Sequence, residues 1–146
     1  MNKYKAAASK ALFAEGEVLY AGFSKRNEAY SMGIRDAFEK AGIRVHAYNP
    51  KAVPGFSITV HRSLDELARI PKAAIVATKA IHSAGLVEEL HARGVSRLLF
   101  VSKSATTPAI LERCEALGMT VAVACPLMLF GSGLHRFHGR LAGVRN

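Results

Sequence analysis

No apolar run in the 146 residues approaches the ~20 needed to cross a bilayer, so a membrane-spanning helix is not expected. A secretory leader is not expected either, because Lys10 interrupts the apolar stretch that follows Lys3 and Lys5. Cysteine is scarce. Cys114 and Cys125 form no disulfide framework and match no metal-ligand spacing, which points to a reducing, cytoplasmic setting. Acidic residues number 11 against 20 Lys and Arg, and none follows Glu115, so the C-terminal end carries only Arg136, Arg140, Arg145, His135 and His138. The resulting charge of +9 favours an anionic partner. The cations are scattered from Lys3 to Arg145 rather than packed into one stripe, and a doubly wound sheet would offer no exposed face with interleaved aromatics, which argues against a nucleic-acid surface. No internal repeat or low-complexity segment is present, and half the residues are hydrophobic. One folded domain over residues 1–146 is expected, with an N-terminal helix over 1–15, a core over 17–128 and a basic tail over 129–146.

Strands and helices alternate along the core. Val18-Leu19-Tyr20-Ala21-Gly22-Phe23-Ser24 reads as a buried strand ending in a small-residue turn. A helix follows with Tyr30, Ile34, Ala37, Phe38 and Ala41 on one face and Gly42 as its cap. Residues 43–48 form a second strand that stops at Asn49-Pro50, and residues 53–60 read as a loop or short irregular strand. Ser63 caps a short helix carrying Leu64, Leu67 and Ala68. Residues 73–77 form a third strand, and the next helix carries Ala80, Ala84, Val87 and His91 on one face. Residues 97–101 are a fourth strand. Thr107-Pro108 opens a helix through Leu111 and Cys114, and residues 120–124 are a fifth strand. Opening the chain, an amphipathic helix sets Tyr4, Ala8, Ala11 and Leu12 on one face.

Strands separated by helices need crossover connections, so the fold class expected is α/β: a single Rossmann-like, doubly wound domain. Its sheet is mainly parallel and five-stranded, in the order 3-2-1-4-5. Ligands of such folds bind at the carboxyl ends of the strands. The apolar stretch over residues 121–130 exceeds one strand, and either internal packing against the N-terminal helix or a homodimer contact accounts for it.

The first turn is not a dinucleotide fingerprint, since the glycine after Gly22 comes only at Gly33. The second strand ends in Tyr48-Asn49-Pro50-Lys51, where an NAD site needs a carboxylate for the ribose. Lysine there suits a ribose bearing an extra phosphate, as in NADP or coenzyme A. Lys25 and Arg26 flank the first turn and add charge beside an anion.

Gly22-Phe23-Ser24 after the first strand, Asn49-Pro50-Lys51 after the second, and the layout through Cys125-Pro126 resemble the YccU-like stand-alone CoA-binding proteins. These are relatives of the CoA-binding domain of the succinyl-CoA synthetase α subunit. The resemblance runs from about Glu17 to about Met128 and includes the segment Ser63-Leu64-Asp65-Glu66-Leu67. It implies a nucleotide-binding site in which Gly22 lets the backbone approach the CoA diphosphate and Ser24 donates to it, with Phe23 and Gly33 counted among the ligand-binding residues. Asn49, Pro50 and Lys51 would line the adenosine end, and Thr78 and Lys79 the pantetheine path. The sequence departs from the family pattern at Lys79-Ala80-Ile81-His82, where relatives often carry prolines. It departs again at Ser102-Lys103-Ser104-Ala105-Thr106, which replaces a glycine-containing turn.

No catalytic constellation stands out. Cys125 is the best nucleophile candidate by position, but no activating partner is fixed in sequence. His135 and His138 share a helical face without the further ligands a metal needs, so no metal is expected. A Tyr-x-x-x-Lys reductase pair is absent, because Ala52 follows Tyr48 at that spacing. The resemblance implies binding rather than ligation, since the sequence carries no second, histidine-bearing domain. The expectation is therefore a non-enzymatic binder of coenzyme A or an acyl-CoA, acting as carrier, sensor or regulator. The alternatives are an NADP-binding reductase and a degenerate Rossmann domain serving protein interaction.

Overall fold

A computed structural model describes residues 2–130. The helices are α1 (Asn2–Ala7), α2 (Glu28–Lys40), α3 (Ala80–Ala92), α4 (Pro108–Ala116) and α5 (Leu127–Phe130). The strands are β1 (Glu17–Ala21), β2 (Arg44–Tyr48), β3 (Val60–His61), β4 (Ala73–Val76), β5 (Arg97–Phe100) and β6 (Thr120–Val123). His135, His138 and the basic tail lie outside the described residues.

All six strands form one parallel sheet in the order β3-β2-β1-β4-β5-β6. The α/β doubly wound fold is as expected, with two corrections. The sheet has six strands rather than five, because Val60–His61 pairs with Ala47 and Tyr48. The order also changes, since residues 73–76, expected beyond β2, pair with β1 through Leu19↔Ala74, Tyr20↔Ile75 and Ala21↔Val76. Burial explains the placement: every residue of β4 is buried, which only a central strand allows. The half-buried Val60 and His61 suit the edge.

Side chains alternate across the sheet with period two. Leu19, Ala21, Ala74 and Val76 face Val87, Leu90, Leu111 and Cys114 of α3 and α4. Val18, Tyr20, Ile75 and Leu99 face Ile34 and Phe38 of α2 and Leu129 of α5. The N-terminal segment joins both layers: α1 packs on β6 and sends Tyr4 into the first core, while Leu12 and Phe13 enter the second. It is not one helix. Ser9 is extended (φ −154°, ψ 164°) and a 3-10 turn over Lys10–Phe13 follows, so Ala8 and Leu12 are buried but Ala11 is exposed. Phe130 packs edge-on against Phe38 (centroids 4.6 Å apart) and Phe13 (6.1 Å), so the apolar stretch at residues 121–130 is used internally.

Two helix faces differ from expectation. On α2 the buried residues are Ser31, Ile34 and Phe38, whereas Tyr30 and Ala41 are exposed. On α3 they are Ser83, Val87 and Leu90, leaving Ala84 and His91 in solvent. The segment after Ser63 is a 3-10 turn over Leu64–Glu66, and Ala68 is exposed. α4 begins as its sequence dictates: Thr107 Oγ1 accepts the Ile110 N–H at 3.2 Å, with Pro108 in the first helical turn. Thr107→Ala removes that cap. It is expected to lower unfolding stability by about 1 kcal/mol with an unchanged m-value, checked by urea denaturation.

Candidate functional site

The site begins where β1 and β4 run side by side and their connections part. Gly22 follows β1 with φ +96°, and a Cβ there would lie 3.0 Å from the backbone of Ala77 and Thr78 and from Thr78 Cγ2. Conformation and space both demand glycine. Its N–H donates to Tyr48 O at 2.9 Å, and the Phe23 N–H reaches the same carbonyl at 3.4 Å. Those two amides therefore tie β1 to β2 rather than point into a ligand site. Ser24 is extended, and its Oγ accepts the Asn27 N–H at 3.3 Å, starting a 3-10 turn that leads into α2.

Asn49 locks the second turn to the first. Its Nδ2 donates to Phe23 O at 3.1 Å, its Oδ1 accepts the Lys51 N–H at 2.9 Å, and its own N–H donates to His61 O at 2.9 Å. The third turn is fixed from beneath. Thr78 Oγ1 and the buried Ser83 Oγ are 2.7 Å apart, and Ser83 Oγ donates to Lys79 O at 3.2 Å.

These three turns and α3 enclose an open cavity of about 550 Å³ at the C-terminal ends of β1, β2 and β4. The first turn contributes Gly22, Ser24 and Arg26, the second Asn49, Pro50 and Lys51, and the third Thr78 and Lys79. Three expected site residues lie off its wall. The Phe23 side chain is buried and packs edge-on against Tyr20 (5.2 Å) and Phe56 (5.8 Å). Lys25 turns toward residues 55–56, donating to Gly55 O at 2.6 Å and lying 5.2 Å from the Phe56 ring centroid. Gly33 sits exposed within α2, with nothing within 4 Å of where its Cβ would be.

The rest of the wall was not among the expected site residues: Ala21, Asn27, Tyr48, Ala77, His82, Gly85, Leu86 and Glu89. Four of these were legible as one helical stripe, since 82, 85, 86 and 89 recur at i, i+3, i+4 and i+7. The Tyr48 hydroxyl donates to Glu89 Oε1 at 2.7 Å. Burial, then that bond, raises the phenol well above its ordinary range, so it stays a donor.

A second cavity of about 280 Å³ shares Gly22, Asn27, Thr78 and Lys79 with the first and runs on to Tyr30, Ser31, Ser102 and Ser104. Both segments that depart from the family pattern thus border a cavity. Tyr20 and Ser31 hydroxyls meet there at 3.2 Å, and burial pushes the Tyr20 phenol up to about 12. Tyr30 is 40% exposed, yet its Oη lies 3.2 Å from Cys125 Sγ, and partial burial together with that contact raises this phenol too. Phenols held this high are poor general acids or bases near neutral pH. Burial also pushes the Cys114 thiol up to about 11, inside the α4 core. Arg26, Lys51 and Lys79 line the main cavity as cations, an arrangement suited to a polyanionic ligand.

Residues 17–130 match the CoA binding domain family. The chain belongs to that family. The match spans nearly the same residues as the resemblance read from the sequence. Solved structures similar to this CoA binding domain include a hypothetical protein from Pyrococcus horikoshii OT3, at TM-score 0.69 and 14% identity, over 98% of this chain and 93% of that one. A Thermus thermophilus protein gives 0.68 at 16% identity over 89% and 95%. A conserved hypothetical protein from Pyrococcus furiosus gives 0.63 at 18% identity over 83% and 97%. At such identities the likeness is one of fold. No curated protein is similar in sequence.

Gly22→Ala tests the geometry of this CoA binding domain directly. A methyl group at φ +96° and 3.0 Å from the Ala77–Thr78 backbone just after β4 is expected to cost more than about 1 kcal/mol. Chemical denaturation should show it, whereas Gly33→Ala, in open space, should raise stability slightly.

Proposed function

We propose that this protein binds coenzyme A or an acyl-CoA without transforming it, and serves as a carrier, sensor or regulator. The observation that carries the reading is the cavity of about 550 Å³ on which Arg26, Lys51 and Lys79 converge from three separate turns. A ligand with a diphosphate and a ribose phosphate meets those cations with charge-assisted hydrogen bonds. Arg26 and Ser24, on the first turn, are assigned to the diphosphate. Lys51, held beside Asn49 by the turn after β2, is assigned to the ribose phosphate. The second cavity, continuous past Thr78 and Lys79, takes the thiol-bearing arm. Bound CoA supplies a thiol as its reactive group, and the protein's residues hold and orient it. The Tyr20 and Tyr30 phenols, held neutral beside that arm, favour holding over proton transfer. A reducing cytoplasm, in which Cys114 and Cys125 remain thiols, is the compartment that suits this role.

Thermal unfolding with CoA, dephospho-CoA, NADP, NAD and ADP at matched concentrations tests the reading. CoA at ~100 times its Kd adds roughly 2.7 kcal/mol and should raise Tm by several degrees, more than any other ligand. A flat response to all five contradicts CoA binding, and a larger shift with NADP would transfer the site to that cofactor. Lys51→Glu is expected to weaken CoA about tenfold or more while weakening dephospho-CoA much less. Equal losses by calorimetry would remove Lys51 from the ribose phosphate.

A further inference from the structure

The α3 wall of the main cavity has a chemistry that phosphate binding does not use. Its stripe of His82, Gly85, Leu86 and Glu89 spans about 10 Å along the helix and faces the turn after β2. Glu89 is the one carboxylate on a wall that also carries Arg26, Lys51 and Lys79, counting the described residues. A carboxylate repels phosphate, and it can only accept hydrogen bonds. Tyr48 donates to its Oε1 at 2.7 Å, which fixes the group in place. No hydrogen bond among the described residues reaches Oε2.

One turn before Glu89 the wall is flat. Gly85 sits inside α3, where glycine weakens a helix relative to alanine. Its φ is not positive, and a Cβ there would meet no heavy atom within 4 Å, so neither backbone nor packing requires it. Leu86 beside it is apolar and half-buried. An apolar, side-chain-free surface followed by an acceptor fits a planar ring bearing a donor, better than it fits a sugar.

We infer that Glu89, positioned by Tyr48, reads the exocyclic amine of an adenine ring lying on Gly85 and Leu86, and so selects amino-purine over oxo-purine ligands. The inference rests on the CoA reading and adds to it the residue that recognises the base. Tyr48 acts through Glu89 as a positioning residue.

The test compares CoA with CoA whose adenine has been deaminated to hypoxanthine, by titration calorimetry. The wild-type protein should prefer CoA by about tenfold or more, because deamination replaces the donor with an acceptor facing the carboxylate. Glu89→Ala should bring the two ligands within about twofold, and Tyr48→Phe should narrow the ratio part-way. Gly85→Leu fills the ring surface. It should weaken CoA about tenfold or more without lowering Tm, which separates a blocked slot from a damaged fold. Equal wild-type affinity for the two ligands, or an undiminished ratio in Glu89→Ala, overturns the base-reading role while leaving CoA binding intact. No binding of CoA by the wild-type protein overturns the CoA reading and this inference together.

Discussion

The arrangement depends on one close approach: the backbone of Gly22 against Ala77 and Thr78. Any side chain at position 22 would drive β1 and β4 apart at their carboxyl ends, where a Cβ would sit 3.0 Å from peptide atoms. On its other side the same residue gives its N–H to Tyr48 O, so β1, β2 and β4 are pinned at one point. Asn49 extends the pin to β3 by bonding Phe23 O through its side chain and His61 O through its backbone N–H. The turns are thereby held in register before any ligand arrives. Preorganisation of this kind lowers the ordering cost of binding.

With the turns fixed, charge divides the cavity. Cations line it from three turns, while the one carboxylate among its described wall residues sits on a helix and is braced by a tyrosine. A ligand that is anionic at one end and offers neutral donors at the other has only one favourable orientation across such a wall. The second cavity begins at the same hub and adds the hydroxyls of Tyr20, Tyr30, Ser31, Ser102 and Ser104 to its wall, so the cavity surface continues past Gly22 rather than ending there. The raised phenols at this hub keep their protons across the physiological range.

Much of this was legible in the sequence because it is local. The apolar runs gave the main strands, and Thr107-Pro108 marked the start of α4. The three turns announced eight of the residues on the cavity wall. What escaped was non-local. Strand order depends on which apolar run can be buried on both faces, and no spacing within residues 73–77 states that. The face of α3 was ambiguous because apolar residues surround the helix, and Ile81 is in fact 83% exposed. Lys25 looked like an anion ligand, but a carbonyl thirty residues later, at Gly55, competes for it. Phe23 sits in a site motif yet serves the core beneath it. The Tyr48–Glu89 pair joins residues 41 apart, and only folding brings them together.

Hydrogen exchange with and without CoA tests the central claim most directly, that the pinned turns are the ligand site. Slowed exchange is expected in three segments: residues 24–27, 50–52 and the first turns of α3. The strand interiors, already protected, should be unchanged. Slowing confined to other segments, or no slowing at saturating CoA, would contradict the account.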